Sequence, residues 1–469
     1  MSNFHDLSIE ELQGLMREGK LTSYTLTMHF LNRIATIDQG EPRYNSILEV
    51  NPDALNQAQQ RDYERGQNKD VGQLHGIPVI LKDNISTLGK MHTTAGALAF
   101  KNHYASDDAT LVKSLLKDGA VILGKANLTE LANFMTLNNV NGYSSYGGYV
   151  RCPWDVKHDP SGSSTGSAVA ASLRLAPVTI GTETSGSIIS PSRTNGVIGL
   201  KPTIGLVSRT GIVPISTTLD TAGPIGNRVK DVATLLNSMM TADSEDPITL
   251  TKSIDKIDLS SLSKSLKSKT IGIHKKGYED LSKESQKQFD HLVDTIQGLG
   301  AKIITDFELN EPKKLYNILL YEFKQCFNHY LNTEDMPVKS LHELITQNRA
   351  YSYDRLKYGQ HLLEESEYNT SGRCNEVEYV EGLSERKTLQ ETLDNTFDNN
   401  HIDVILFANY TSLGPTCGFP SLTLPLGLDE DNMPIGSYFL AKRFNEQTLI
   451  EVTYAIEQAL NVILDPLKK

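Results

Sequence analysis

From Pro160 to Thr203 the chain reads PSGSSTGSAVAASLRLAPVTIGTETSGSIISPSRTNGVIGLKPT. Ser/Gly segments, SGSSTGS at Ser161–Ser167 and TSGS at Thr184–Ser187, flank an apolar element built of small residues. Glycine lets backbone approach a neighbour or ligand closely and adopt positive φ. Serine supplies a nucleophile and a proton relay. The small side chains predict a helix over Ala168–Leu175 that packs tightly. Strands are expected at Val178–Gly181 and Val197–Pro202, with the segment around Val207 extending the sheet. Hydroxyls set among glycines at both ends of a buried element mark a site rather than plain core.

The remaining pattern alternates strands and helices, which argues an α/β fold. Ser8 and Glu11 form a capping box ahead of a first helix. Thr22 or Ser23 caps a second that runs to about Ile37, and a third is expected over Pro52–Arg65. GIPVIL (Gly76–Leu81) reads as a buried strand leading into Lys82, Asp83 and Asn84. A helix over Asp108–Asp118, capped by Gly119, leads to a strand at Ala120–Gly124. Asn127–Phe134 suits a short helix, and residues 138–161 read as loop. Val229–Met240 is expected to be helical. The stretch 242–268 is rich in Ser, Lys and Asp, as in an exposed connector. Thr270–Ile273, a helix over Lys283–Gln297 and Ala301–Ile304 form a βαβ-like unit. Residues 311–400 are mostly helical and polar. Strands return at Ile402–Leu406 and Ser421–Pro425, and a last helix spans Glu446–Leu460. The expectation is one domain over 1–469, with a core of 60–240 plus 400–460 and a variable, substrate-side region of about 242–400.

Composition excludes several functions. Acidic residues (57) outnumber basic ones (45), for a net charge of −12. No basic stripe is interleaved with aromatics, so nucleic acid is not an expected partner. The four cysteines, Cys152, Cys326, Cys374 and Cys417, lie far apart without ligand spacing, which predicts no disulfides and a reducing, cytoplasmic setting. The first residues lack the apolar core of a signal peptide, and no 18-residue apolar run predicts a membrane span. His75, His92, His103 and His158 are scattered, so no metal site is expected. Asp429–Asn432 reads as an exposed turn between strands.

GSSTG (Gly162–Gly166) matches the G-x-S-x-G nucleophile elbow, which requires a preceding strand. Here RCPWDVKHDP precedes it, polar and twice interrupted by proline, so the elbow is rejected. S-x-x-K occurs at Ser114–Lys117 and Ser253–Lys256 without companion motifs. Lys82 is the more telling lysine. It follows an apolar strand, and a lysine drawn out of water loses basicity and can act as a general base. A Ser–Lys pair is an established alternative to Ser–His–Asp.

Taken together, GIPVILKD (Gly76–Asp83), GSSTGS (Gly162–Ser167), TSGSI (Thr184–Ile188) and GVIGLKPT (Gly196–Thr203) resemble the ordered motifs of the amidase signature family. The resemblance runs from near Leu7 to about Ala459 and is weakest over 242–400. It implies a mixed β-sheet sandwiched between α-helices, and metal-free, cofactor-free hydrolysis of a carboxamide. Ser187 resembles the acylated nucleophile. Ser163 resembles the bridging serine, whose peptide bond is cis in that family, and Lys82 resembles the base. The backbone N–H groups of Thr184, Ser185, Gly186 and Ser187 would form the oxyanion hole. Most members read D-x-G-G-S-I-R where this chain reads ETSGSII (Glu183–Ile189), so the aspartate–arginine pair expected beneath the turn is absent. The G-T-E-T-x-G-S-I pattern is similar to that of bacterial peptide amidases, which remove C-terminal amides of peptides. TTAG (Thr93–Gly96), YGG (Tyr146–Gly148), YEFK (Tyr321–Lys324) and PVKSL (Pro337–Leu341) also resemble that group. Tyr146, Tyr321 and Tyr358 are candidate pocket-lining residues. The expected partner is a small-molecule or peptide amide, acted on by a monomer or homodimer. Two alternatives stand: the A subunit of a tRNA-dependent amidotransferase, and a non-catalytic binding protein on the same fold.

Overall fold

Eleven strands form one mixed sheet in a computed structural model that describes residues 3–468 other than 68, 70–71 and 253–254. In spatial order the strands are Ile47–Val50, Val121–Ala126, Pro78–Lys82, Val178–Glu183, Thr221–Gly226, Ile198–Lys201, Ser421–Thr423, Tyr438–Ala441, Val404–Phe407, Thr270–His274 and Lys302–Ile304. Pro78–Lys82 lies between two parallel neighbours, paired Leu81 to Lys125 on one side and Leu81 to Ile180 on the other. Every residue of the strand is buried, the consequence of a continuous apolar run with sheet on both sides and helices above and below. Val178–Glu183 then pairs antiparallel with Thr221–Gly226. The C-terminal ends of Pro78–Lys82 and Val178–Glu183 therefore lie side by side, where open α/β sheets place their ligands.

Helices flank the sheet. The capping box at Ser8 and Glu11 starts Ile9–Arg17, and Thr22 caps Ser23–Arg33, which continues into a further turn over Ile34–Asp38. These two helices and Thr110–Lys117, Val229–Met239 and Glu446–Leu460 bury apolar stripes in the main core. The helix Thr165–Ser172 is buried along its whole length. A Cβ on its Gly166 would sit 2.3 Å from the Asn127 carbonyl and 2.5 Å from that of Ser46, so backbone packs on backbone here. Among its described residues, the connector after Met240 carries only a 3₁₀ turn, Pro247–Leu250. The βαβ unit forms as expected, with Lys302 paired parallel to Thr270. Helices Leu315–Thr333, Leu341–Ala350, Ser352–Arg355, His361–Asn369 and Val377–Asn400 fill the following region. Phe323, Phe327 and Leu331 pack there against Phe100 and Phe134.

Some expectations need correction. Asn127–Phe134 does not hold a right-handed helix: Leu131 (φ 46°, ψ 44°) and Ala132 (φ 54°, ψ 31°) are left-handed. Tertiary bonds impose that turn, since Leu131 N–H donates to the Ala95 carbonyl at 2.9 Å and Glu130 accepts from Ser145 N–H and Oγ. Val207 makes only an isolated bridge to Met240. The small-residue helix runs Thr165–Ser172, earlier than Ala168–Leu175. Asp429–Asn432 is the turn between the short strands Pro425–Leu428 and Pro434–Gly436. No disulfide forms among the described residues, and no described helix is long and apolar enough to cross a membrane. No cluster of metal-ligating side chains occurs among the described residues.

Candidate active site

Lys82 ends its strand fully buried, with its ammonium end surrounded by oxygen atoms. Nζ lies 2.8 Å from Ser163 Oγ, 3.0 Å from Ser164 Oγ and 2.8 Å from Thr182 Oγ1. Burial pushes its pKa down to about 7, against the pull of the carboxylates of Asp220 and Glu183. The sheet register explains the contact with Thr182, which sits at the end of the neighbouring parallel strand. Ser163 and Ser164 arrive from the other direction, on the tight segment before Thr165–Ser172. The Gly162–Ser163 peptide bond is cis. The Ser163 carbonyl accepts from Thr129 N–H at 3.1 Å. Ser164 Oγ donates to the Thr182 carbonyl at 2.9 Å and accepts from Thr182 N–H at 3.1 Å.

Ser187 lies on the turn that leaves Val178–Glu183 and is half-buried. Its carbonyl accepts from Ser164 N–H at 3.1 Å, which ties this turn to the Ser163–Ser164 segment. Among the described residues no hydrogen bond joins Ser187 Oγ to Ser163 Oγ. The N–H groups of Thr184, Ser185, Gly186 and Ser187 likewise have no protein acceptor among the described residues. Gly186 has φ +90°, and a Cβ there would lie 2.5 Å from the Tyr410 hydroxyl, so the turn requires glycine at this point.

Beneath the turn Glu183 Oε2 accepts the N–H groups of Ile188 at 2.7 Å and Ile189 at 3.0 Å. Lys201, buried on the adjoining part of the sheet, feels the charges of Glu183 and Glu446, and burial lowers its pKa to about 8. Asp83, next to Lys82, accepts from Thr94 and Gly96 and lies 4.0 Å from buried Lys125. Burial raises the Asp83 pKa to about 6. Asp220 accepts from Thr184 Oγ1 and from the N–H groups of Ile215 and Ser216, with its pKa also raised by burial to about 6.

A cavity of about 390 Å³ opens beside Asn84, Thr182, Thr184 and Asp220 and reaches helix Leu315–Thr333 at Tyr330. Its wall includes neither Lys82, Ser163 nor Ser187. None of the three expected tyrosines lines it. Tyr146 is half-buried beside Gly96, Tyr321 packs on Tyr379, and the Tyr358 hydroxyl meets that of Tyr149. Sequence reasoning missed Ser164, Thr182, Asn84 and Asp220. Ser164 was signalled by its place in the same Ser/Gly segment, and Thr182 only by sheet register.

The sequence profile described as Amidase matches residues 25–418. A probable amidase of Arabidopsis thaliana is 34% identical, covering 97% of this chain and 90% of its own. The crystal structure of native peptide amidase from Stenotrophomonas maltophilia superposes with a TM-score of 0.93 at 36% identity, covering 99% of both chains. The A component of the glutamyl-tRNA(Gln) amidotransferase of Bdellovibrio bacteriovorus is 29% identical over 96% of each chain.

Proposed function

The chain belongs to the amidase signature family and is an amide hydrolase, and on that premise we propose that it acts through a Ser187–Ser163–Lys82 triad on the C-terminal amides of peptides. The observation that carries this reading is the approach of buried Lys82 Nζ to within 2.8 Å of Ser163 Oγ. A neutral lysine has two N–H bonds and one lone pair. The Ser164 hydroxyl hydrogen is committed to the Thr182 carbonyl, so Ser164 Oγ accepts from Lys82. Thr182 Oγ1 takes the second N–H. The lone pair then faces the Ser163 hydroxyl.

In the proposed reaction Ser187 Oγ attacks the amide carbon and passes its proton to Ser163 as Ser163 passes its own to Lys82. The oxyanion meets the N–H groups of Thr184, Ser185, Gly186 and Ser187, which have no competing protein acceptor among the described residues. Collapse breaks the C–N bond, and the proton held by Lys82 returns through Ser163 to the leaving amine, which departs as ammonia from a primary amide. Water then attacks the acyl-enzyme by the same relay and frees the acid. The likeness to peptide amidase over the full length of both chains supports the substrate class. As a complementary boundary, 242–400 is proposed as the substrate-side part of the single domain.

The test is ammonia release from peptide amides, aliphatic amides and aryl amides by the purified chain, with a fluorophosphonate adduct mapped by mass spectrometry. Peptide amides should be preferred and the adduct should fall on Ser187. Ser187→Ala should be inactive, and Ser163→Ala should lose roughly 10²- to 10⁴-fold in kcat. Unchanged turnover by Ser187→Ala refutes the triad. Activity that requires added partner subunits and glutamine favours the amidotransferase alternative.

A further inference from the structure

We propose that Glu183 is a positioning residue for the reaction: its carboxylate, accepting the Ile188 and Ile189 N–H groups, fixes the chain immediately after Ser187 and so holds the nucleophile turn in shape. The inference rests on the reading of Ser187 as nucleophile. The family's aspartate and arginine are both missing from this turn, yet the anchor is not. Glu183 ends the strand Val178–Glu183, and its side chain reaches past the turn to two successive N–H groups at 2.7 and 3.0 Å. Those bonds begin the short helix Ile189–Thr194, whose first residues would otherwise bury unpaired donors. With Ile188 and Ile189 tied down, the N–H groups of Ser185, Gly186 and Ser187 keep no protein acceptor among the described residues and stay free for an incoming oxygen.

Ile189 stands where most of the family has arginine. The buried lysine that feels the Glu183 charge from the adjoining sheet is Lys201 of the GVIGLKPT motif, on the strand Ile198–Lys201. Lys201 Nζ donates to the Pro202 carbonyl at 2.8 Å and also feels Glu446. Glu183 Oε1 is buried without a hydrogen-bond partner, as is the Tyr410 hydroxyl that leans on Gly186. The titratable groups that sense Glu183 are Lys82, Lys201, Tyr410 and Tyr438. Those that act on Lys82 are Asp220 and Glu183. Glu183 therefore touches the chemistry in two indirect ways: it shapes the turn, and its charge favours the protonated form of the base.

The experiment compares wild type with Glu183→Gln and Glu183→Ala in kcat, KM, pH dependence of kcat/KM and rate of fluorophosphonate labelling at Ser187. Glutamine keeps an acceptor oxygen and loses the charge, whereas alanine loses both. For Glu183→Ala we expect kcat to fall roughly a hundredfold, in line with a small displacement of reacting groups, with KM within about threefold. For Glu183→Gln we expect a smaller fall in kcat and an acid limb displaced to lower pH, because one of the two anions that favour charged Lys82 is gone. A merely structural role would leave that limb in place. If Glu183→Ala does not fold, Glu183→Gln decides. Labelling on Ser187 with wild-type kcat in a folded Glu183→Ala overturns this inference and leaves the triad standing, as does wild-type kcat with an unmoved limb in Glu183→Gln. Labelling elsewhere in the wild type overturns the triad itself.

Discussion

Lowering the pH from 8 to 6 should slow the enzyme about tenfold, and the structure says why. Burial holds the Lys82 pKa at about 7, down from 10.5. A base with that pKa is about 91% neutral at pH 8 and about 9% neutral at pH 6. Only the neutral amine can take the Ser163 proton, so kcat/KM should climb with unit slope below pH 7 and level off above it. The assay is initial-rate ammonia release from one peptide amide across pH 5.5–9, with a parallel fluorophosphonate labelling rate that reports attack by Ser187 alone. Asp83 and Asp220 also titrate in this range, near 6, so the limb needs a separate assignment. Asp220→Asn removes an anion that favours protonated Lys82, and the limb should therefore move to lower pH. If Asp220 were itself the titrating group, the limb would vanish in that variant. A flat profile between pH 6 and 8 in the wild type, or a limb that persists in the residual activity of Lys82→Ala, refutes the assignment of Lys82 as base. The same shift has a stability consequence. The unfolded lysine keeps its proton up to about pH 10, so the unfolded state binds more protons than the folded one between pH 7 and 10, and stability rises with pH across that window.

Three further predictions concern the fold and the turn at Gly186. Asp231 is buried at the start of Val229–Met239, accepts from Ile9 N–H at 3.0 Å, and has its pKa raised by burial to about 7. Its folded pKa lies above the unfolded one, so stability falls as pH rises from about 4 to 7; Asp231→Asn keeps an acceptor and should match wild type at pH 4 but exceed it by up to a few kcal/mol at pH 8, read as Tm. A gap that stays constant over that range contradicts the reasoning. Gly186→Ala should cost about 2 kcal/mol or more and impair labelling, since the position has φ +90° and its Cβ would meet the Tyr410 hydroxyl at 2.5 Å. Tyr410→Phe removes a buried, unpartnered hydroxyl and should be neutral or stabilising by about 1 kcal/mol, and it should recover part of the Gly186→Ala loss; a strictly additive double variant argues against the clash.

The parts of this protein that its sequence makes legible are those decided by nearby residues or by the chemistry itself. The Ser8–Glu11 capping box, the βαβ unit after Thr270 and the run Pro78–Lys82 are local, and the structure contains each. Lys82 and Ser163 stand out by their motifs, and the fold brings them to hydrogen-bonding distance. What was illegible depends on tertiary partners. TAGPIG (Thr221–Gly226), with glycine twice and Pro224 inside, carries no local strand signal, yet it is a central strand pairing Pro224 with Ile180. Leu131 and Ala132 have no local reason to be left-handed and are held so by Ala95 and Ser145. Glu183 shows the same division inside the site. In sequence it appears as the loss of an aspartate–arginine pair; in three dimensions its carboxylate accepts the Ile188 and Ile189 N–H groups. A motif records which reactive groups the chemistry demands. The groups that hold them in place answer to geometry, so a motif can show that one has been replaced without showing which backbone groups its replacement holds.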